Sequence, residues 1–379
     1  MNKSIQHLNI GILGGGQLGR MLLQHAINLN LQVSVLDPDN NAPCKYLVKN
    51  FVCGSLTDYD SVYRFGKGLD LITIEIENVN TEALKALEQE GVKVFPQPGI
   101  IEMIQDKGSQ KIFYQRNNIP SPDFFLVENK SGIEKYSSYF PFFQKLRKGG
   151  YDGKGVMKLK TIHDSQKAFD APSVLESLVD IEKELSVIVA RNADGEIKCF
   201  PVVECEFNPE ANLVEFLFSP AGIKKNIEKE ATEMATLVAE KTGIVGILAV
   251  EMFLTKNGKV LVNEIAPRPH NSGHHTIEAN ATSQFEQHWR AILNLPLGET
   301  TITKSAVMLN VLGSAGYEGK AIYKGLNDVL KFKGVHLHLY GKEMTKPFRK
   351  MGHVTVVDDD LMVAKQKARS VRDILKVVA

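Results

Sequence analysis

The chain has 379 residues, 43% of them apolar and 23% charged, with a formal net charge of +1. That length exceeds what one hydrophobic core usually serves, so two or three domains are expected. The charge balance gives no bulk attraction to nucleic acid or to an anionic membrane, so neither is expected as a partner and local basic clusters have to be read as sites.

The four cysteines, Cys44, Cys53, Cys199 and Cys205, show no C-x-x-C spacing. That argues against a zinc site and a disulfide framework, and free thiols suit a reducing cytoplasm. The opening MNKSIQHLNIGILGGG meets glycine as soon as it turns apolar and lacks the apolar region of a signal peptide. No window approaches the roughly 18 apolar residues of a membrane span, so a cytoplasmic chain is expected.

The first hundred residues alternate strand and helix patterns. NIGILGG (9–15) reads as a buried strand, QLGRMLLQHAINL (17–29) as an amphipathic helix, and QVSVLDPD (32–39) as a second strand. DLITIEIENV (70–79) is a further strand; TEALKALEQEG (81–91) is a helix with Thr81 as N-cap and Gly91 as stop; KVFPQP (93–98) closes a parallel α/β unit. Gly14, Gly16 and Gly19 form G-x-G-x-x-G between strand and helix, with Asp37 at the end of the second strand. That suits an NAD-dependent oxidoreductase. Glycines there also let a helix pack closely and offer N–H groups to any anion, so both readings stay open.

After a helical, then proline-marked stretch at 98–130, the patterns become antiparallel. One hairpin spans 184–204, turning at Asp194-Gly195, and another spans 247–266, turning at Asn257-Gly258, with a helix at 230–243 between them. NLPLGETTITK (294–304) reads as a boundary, followed by several strands and a final helix near 360–376. There is no internal repeat or low-complexity segment.

The second hairpin carries the strongest physical signal. A two-residue type I′ turn at Asn257-Gly258 makes Lys256 oppose Lys259, Leu254 oppose Leu261, Met252 oppose Asn263, and Glu251 oppose Glu264. Opposed Cβ atoms lie about 5 Å apart, where like charges repel. With Leu248, Val250, Phe253, Val262 and Ile265 as neighbours, the two carboxylates need a cation or a shared proton. Beside Asn263 they suit Mg²⁺, which takes one or two carboxylates plus substrate phosphates. The alternative is a solvent-facing sheet edge, and a bulge would break the register.

Three further stretches bear on the anion such a metal would need. Lys145 lies in the aromatic strand YFPFFQKLRKGG, whereas Lys107 in MIQDKGSQK reads as a helix-surface lysine. RKGGYDGKG (147–155) has four glycines and three basic residues but not P-loop spacing. EIAPRPHNSGHHT (264–276) directly follows the second carboxylate strand and carries Arg268, His270, Asn271, His274 and His275. It is a candidate catalytic loop, with one or two of its histidines open to a structural role.

GGGQLGRM, GGYDGKG and NEIAPRPHNSGH, in that order and with Glu-Ser-Leu-Val at 176–179, resemble the ATP-grasp superfamily over essentially the whole chain. Within it the chain is similar to the 5-(carboxyamino)imidazole ribonucleotide synthase family of purine biosynthesis. The resemblance implies an α/β and α+β protein: a Rossmann-like domain (1–98), a central ATP-grasp domain (99–300) and a small, mostly β C-terminal domain (301–379) that closes over substrate. It implies that the glycine loop lines a ribonucleotide pocket instead of binding NAD. ATP would be clamped between two antiparallel sheets.

The same resemblance implies the site residues. ATP would be met by Lys107 and Lys145, by a lid of Gly150, Tyr151, Asp152, Gly153, Lys154, Gly155 and Val156, and by an adenine-reading hinge of Glu176, Ser177, Leu178 and Val179. Glu184 would hold the ribose, Asn263 and Glu264 would face the phosphates, and Glu251 with Glu264 would bind Mg²⁺, with Mn²⁺ as the alternative ion. The ribonucleotide would be met by Gly16, Gln17, Leu18, Glu75, Tyr151, Asp152, Asn271, His274, Lys342 and Arg349, with Glu77 and Asn78 as alternatives to Glu75. Lys145, Arg268 and His270 would be catalytic: Lys145 for phosphoryl transfer, Arg268 for bicarbonate and carboxyphosphate, His270 for the proton of the exocyclic amine.

The implied reaction uses ATP and bicarbonate to carboxylate 5-aminoimidazole ribonucleotide (AIR) through carboxyphosphate, in a homodimer. The chain departs from the family at Asp106-Lys107, where an arginine is usual, and at Glu206-Phe207, where a histidine is usual. The first loses a bidentate fork and the second a hydrogen-bond donor. The rivals are another ATP-grasp ligase such as a biotin carboxylase or a formyl-transferring relative, a non-catalytic nucleotide sensor, and the NAD-dependent oxidoreductase.

Overall fold

Short apolar runs rich in isoleucine, leucine and valine build the first layer. The computed structural model describes residues 4–150, 155–208 and 213–379. Strands β1 (Asn9–Leu13), β2 (Gln32–Asp37), β3 (Asn50–Cys53), β4 (Leu71–Ile74) and β5 (Lys93–Val94) pair in parallel in the order β3-β2-β1-β4-β5. Helices α1 (Gln17–Asn28), α2 (Tyr59–Gly66) and α3 (Thr81–Gln89) connect them. The predicted strand at 70–79 ends at Ile74, because Glu75 turns into the glycine loop. Asn80, not Thr81, caps α3, its side-chain oxygen accepting from the Ala83 N–H at 2.8 Å. β3 and α2 were not anticipated from the sequence: β3 is a four-residue edge strand with no buried residue.

Helices α4 (Pro98–Gln105) and α5 (Lys107–Arg116) lead into a four-stranded antiparallel sheet. It contains β6 (Phe124–Val127), β7 (Phe142–Leu146), β8 (Val156–Leu159) and β9 (Ser173–Ser177), ordered β6-β9-β7-β8. Residues 178–180 then cross to a nine-stranded sheet. Its central part is β10 (Ile181–Arg191), β11 (Ile197–Cys199), β12 (Val203–Asn208) and β13 (Leu213–Ser219), then, after helix α6 (Lys225–Thr242), β14 (Gly246–Thr255) and β15 (Val260–Ala266). β16 (Ser305–Leu312) and the strands Lys350–Asp358 and Val335–Leu339 extend the same sheet. The sheet therefore joins strands from both sides of residue 300, β13 pairing β16 from Phe216↔Leu309 to Ser219↔Ala306.

Alternation along β10 decides what each layer buries. Leu185, Val187 and Val189 pack with Ala231, Ala235 and Val238 of α6. Ile188 and Ala190 face the opposite core with Ala291, on the helix Gln284–Ile292. On that second face, Glu184 and Ser186 continue past the apolar core, and this polar end of the strand belongs to the site. In the C-terminal part, Ala364, Ala368 and Val371 on the helix Leu361–Ile374 form one stripe against Val307, Val354 and Val356. Among the described residues no helix is long and apolar enough to cross a membrane.

Candidate active site

The glycine fingerprint is occupied by the protein itself. The Glu75 carboxylate accepts from the Gly16 N–H at 2.9 Å and the Gly19 N–H at 2.6 Å. A Cβ on Gly14 would lie 2.3 Å from Glu75 Cγ, so the glycine there serves the carboxylate's approach. Asp37 accepts from the Gly15 N–H at 2.6 Å and the Asp39 N–H at 2.8 Å, and is not presented to a ribose. Glu75 thus stands where a dinucleotide's pyrophosphate would bind, and the oxidoreductase reading fails on that geometry. Burial raises the Glu75 pKa against the two glycine N–H bonds, which lower it. Glu75, expected to meet substrate, orders the loop in this structure. Glu75→Ala leaves those amides unsatisfied and is expected to cost about 2 kcal/mol, measurable by urea unfolding. An unchanged midpoint would remove that role.

Of the neighbouring predicted residues, Leu18 is buried in the core around β1 rather than facing a ligand. Gln17 receives a hydrogen bond from Lys342 Nζ at 2.8 Å, tying the C-terminal part to the glycine loop. Lys342 Nζ also donates to the Lys350 carbonyl at 2.8 Å. Arg349 donates to the Met344 carbonyl at 2.6 Å.

Glu251 does oppose Glu264, for a reason other than the expected one. Beside the turn the pairs are Leu254↔Val260, Phe253↔Leu261 and Met252↔Val262, one residue off the predicted register. The loop is longer than two residues, closed by the Thr255 N–H donating to the Lys259 carbonyl at 2.9 Å. A bulge between Met252 and Glu251 leaves Asn263 as the extra residue and restores Glu251↔Glu264, Val250↔Ile265 and Ala249↔Ala266. The bulge therefore makes the carboxylate pair it was expected to break.

The two carboxylates meet separate partners. Lys107 Nζ donates to Glu264 Oε2 at 2.7 Å, and His270 Nε2 lies 3.1 Å from Glu251 Oε1. Lys107 holds the Glu264 carboxyl at about 2, overcoming burial, with Lys145 adding to the effect. Lys107 is thus no surface residue. It starts α5, whose N-cap Asp106 accepts from the Gly108 and Ser109 N–H groups and takes Arg147 bidentately, at 2.9 and 2.8 Å. Arg147, the first residue of the glycine-rich loop, anchors that loop's near side.

Lys145 on β7 donates to Asn263 Oδ1 at 3.1 Å and pairs with Glu176. Glu176 is 4% exposed and its other oxygen lies 2.9 Å from Lys111 Nζ. Its side chain is therefore committed to lysines, leaving only its backbone to read adenine. Ser177 donates its N–H to the Asp123 carbonyl at 2.9 Å, and Leu178 and Val179 are half-buried at the crossing between sheets. In the lid, Lys145 pairs Val156, and the Leu146 N–H meets the Gly155 carbonyl at 2.9 Å. Gly155 has φ +76°, and a Cβ there would lie 3.2 Å from Gly150 Cα, so the two ends of the lid nearly touch. Tyr151, Asp152, Gly153 and Lys154 lie outside the described residues.

A cavity on the nine-stranded sheet is lined by Glu184, Cys205, Phe207, Glu251, Asn263 and His270. Phe207 makes one wall apolar where a hydrogen-bond donor was expected from relatives. Burial first, then the Glu251 charge, pushes the Glu184 carboxyl up to about 7. A carboxyl raised above its ordinary range makes folding less favourable as pH climbs from about 4.5 to about 7. Glu184→Gln is expected to melt above the parent protein at pH 8 and to approach it near pH 5. Parallel melting curves across that window would remove Glu184 as the cause.

The loop after β15 holds Arg268 and His270 toward the carboxylates and turns its other histidines inward. Arg268 Nε lies 2.9 Å from Glu77 Oε1. His270 Nδ1 accepts from the Ser272 N–H at 3.3 Å and meets Ser272 Oγ at 2.9 Å, and that hydroxyl meets Ser186 Oγ at 2.7 Å. An accepting Nδ1 places the neutral ring's proton on Nε2, toward Glu251. Gln284, not anticipated from the sequence, clamps the His270 backbone from both sides: its Oε1 accepts from the His270 N–H at 2.9 Å and its Nε2 donates to the carbonyl at 2.7 Å.

His274 was expected at the substrate. It is 1% exposed, 4.7 Å ring to ring from His353, and burial, with neighbouring histidines, holds it well below its ordinary pKa. It is a packing residue, as is His275, which burial lowers to about 4. Asn271 stays half-buried at the turn, its carbonyl accepting from the His274 N–H.

Known protein families match in the order of this architecture. Residues 8–105 match the ribonucleotide synthetase preATP-grasp domain, 112–285 the ATP-grasp domain, and 306–367 the phosphoribosylaminoimidazole carboxylase C-terminal domain. The N5-carboxyaminoimidazole ribonucleotide synthase of Bacillus subtilis is 37% identical over 354 residues, covering 91% of this chain and 90% of that protein. The chain belongs to the N5-carboxyaminoimidazole ribonucleotide synthase family. The crystal structure of the Thermotoga maritima synthetase is 46% identical, with a TM-score of 0.90 over 98% of this chain and 99% of that one. The Aspergillus clavatus synthase, in complex with ADP and 5-aminoimidazole ribonucleotide, is 32% identical with a TM-score of 0.90 over 98% and 99% of the two chains. The chloroplastic phosphoribosylaminoimidazole carboxylase of Vigna aconitifolia is 38% identical over 93% of this chain, which spans 64% of that protein's length. The synthase family is one of ATP-grasp ligases, and the three-part α/β and α+β architecture agrees with it.

Proposed function

We propose that the protein uses ATP and bicarbonate to carboxylate the exocyclic amine of 5-aminoimidazole ribonucleotide, releasing ADP and phosphate. The observation that carries this is the convergence at one face of the nine-stranded sheet of Lys145, Asn263, the Glu251–Glu264 pair and His270, with Arg268 on the adjoining loop. A bicarbonate oxygen attacks the γ-phosphorus, and the bond to the β-phosphate's bridging oxygen breaks to release ADP. The amine nitrogen then attacks the carboxyphosphate carbon, phosphate leaves, and the amine loses a proton.

Lys145 would meet the charge growing on the transferred phosphoryl group. Arg268, held by Glu77, would orient bicarbonate and carboxyphosphate, and His270 would serve the amine's proton. The lid from Gly150 to Val156 would exclude water from carboxyphosphate. Lys342 and Arg349 offer cations for the 5′-phosphate, with the Gln17 amide held beside them by Lys342. Glu251, Glu264 and Asn263 present hard oxygen donors suited to Mg²⁺, with Mn²⁺ the alternative, and when bound the ion would neutralise phosphate charge.

The homodimer rests on the family resemblance and is tested by sedimentation velocity. The four free cysteines support a reducing, cytoplasmic setting. The activity is tested by ADP release from the purified protein with MgATP and bicarbonate, with and without AIR. Release that depends strongly on AIR supports the reading; equal release without it overturns the substrate assignment.

A further inference from the structure

Lys111 is a buried lysine to which the proposed reaction gives no role. It lies one turn after Lys107 on the same face of α5 and is 2% exposed. Its Nζ sits 2.9 Å from Glu176 Oε1 and 5.9 Å from the centre of the Tyr114 ring. The second Glu176 oxygen is taken by Lys145. One buried carboxylate therefore holds two lysines, and of the two Lys145 also reaches Asn263.

The charge arithmetic explains why two lysines are needed. For Lys145 to serve a phosphate it has to loosen its hold on Glu176. Without a second cation, Glu176 would then be an unpaired buried carboxylate, and removing one partner of a buried pair costs about 3–5 kcal/mol. With Lys111 in place, Glu176 keeps a partner throughout. Burial alone would raise the Glu176 pKa, but Lys145 and Lys111 outweigh it and keep the group ionised; burial also lowers the Lys111 pKa, with the Glu176 carboxylate 2.9 Å away opposing that fall.

We propose that Lys111 is a positioning residue that holds the Glu176 carboxylate so that Lys145 can leave it for the phosphates of ATP. This rests on the reading of the ATP site above, but not on the identity of the carboxylated substrate. It also assigns the Glu176 side chain to lysine control, apart from the adenine hinge.

The test is calorimetric titration of MgATP into the full chain and into two variants, with AIR-dependent ADP release measured in parallel. Lys111→Met removes the charge at similar length and is expected to weaken MgATP binding about tenfold and lower kcat about 30-fold, because Lys145 becomes the sole partner of Glu176. Lys111→Met combined with Glu176→Gln removes both charges and is expected to return MgATP affinity to within about threefold of the parent. A purely structural role would make the double variant no better than the single one. That outcome, or unchanged binding in Lys111→Met, overturns the inference. If Lys111→Met alone does not fold, the neutral double variant decides: it has to bind MgATP within about threefold of the parent. Binding that follows this pattern without AIR-dependent turnover would overturn the substrate reading and leave the Lys111 inference standing.

Discussion

Glu264→Gln is expected to lower AIR-dependent ADP release by about a thousandfold, the effect of losing roughly 4 kcal/mol of transition-state charge stabilisation. Glu264 faces Glu251 across the bulge and takes Lys107 at 2.7 Å, which holds its carboxyl below the ordinary range. Glutamine keeps the shape and one oxygen but removes the charge that Lys107 answers to and that a divalent ion would answer to. Folding should survive, because the substitution also relieves repulsion with Glu251. The measurement is kcat from coupled ADP release, alongside a thermal melt. A well-folded Glu264→Gln protein with kcat within tenfold of the parent would remove Glu264 from the phosphate chemistry.

Arg268→Ala is expected to lower turnover by about a hundred- to a thousandfold, the usual range for losing one oriented donor to a developing anion. Arg268 stands on the loop after β15 and is held by Glu77 at 2.9 Å. Burial would lower its pKa, but Glu77 and then Glu75 and Glu251 keep it firmly charged. Its ion-pair partner Glu77 lies on the N-terminal segment, away from the Lys145–Glu176 side where ATP phosphates would lie. KM for ATP should therefore stay within about threefold while kcat falls, the signature of an interaction made mainly in the transition state. Arg268→Lys should recover little, since an ammonium cannot make the guanidinium's paired contacts. A large rise in KM for ATP with kcat preserved would place Arg268 at the nucleotide instead.

Both predictions depend on features that the chain reveals to different degrees. Period-two alternation at 247–266 located the hairpin, and the acids at 251 and 264 were correctly matched. The turn chemistry was misread, because Thr255 closes a longer loop with its hydroxyl and backbone. An error of one residue in the turn and one bulged residue cancelled. Neither was visible from local pattern, since a bulge is decided by how two strands and the layer above them pack. Lys107 and Lys111 share a helix face, a spacing that could have flagged Lys111 beside Lys107, but nothing local says that this face meets β9 and β15.

The order of layers was legible in the chain: a parallel α/β unit followed by antiparallel hairpins, with three glycine- or proline-marked motifs in an order that resembles one family. Those are properties of neighbouring residues, and backbone propensity and side-chain alternation encode them directly. Which charge answers which came from packing in space. Glu75 fills the glycine loop from 56 residues away, Lys107 reaches Glu264 across 157, and Trp289 closes on the Leu22 carbonyl across 267. His274 was read as a ligand contact and is a core residue, because a histidine's role depends on whether its ring is solvated, and that follows from packing against His353 and Phe285. Electrostatic partners are set by distance in space and by burial, and neither is a property of a short stretch of chain.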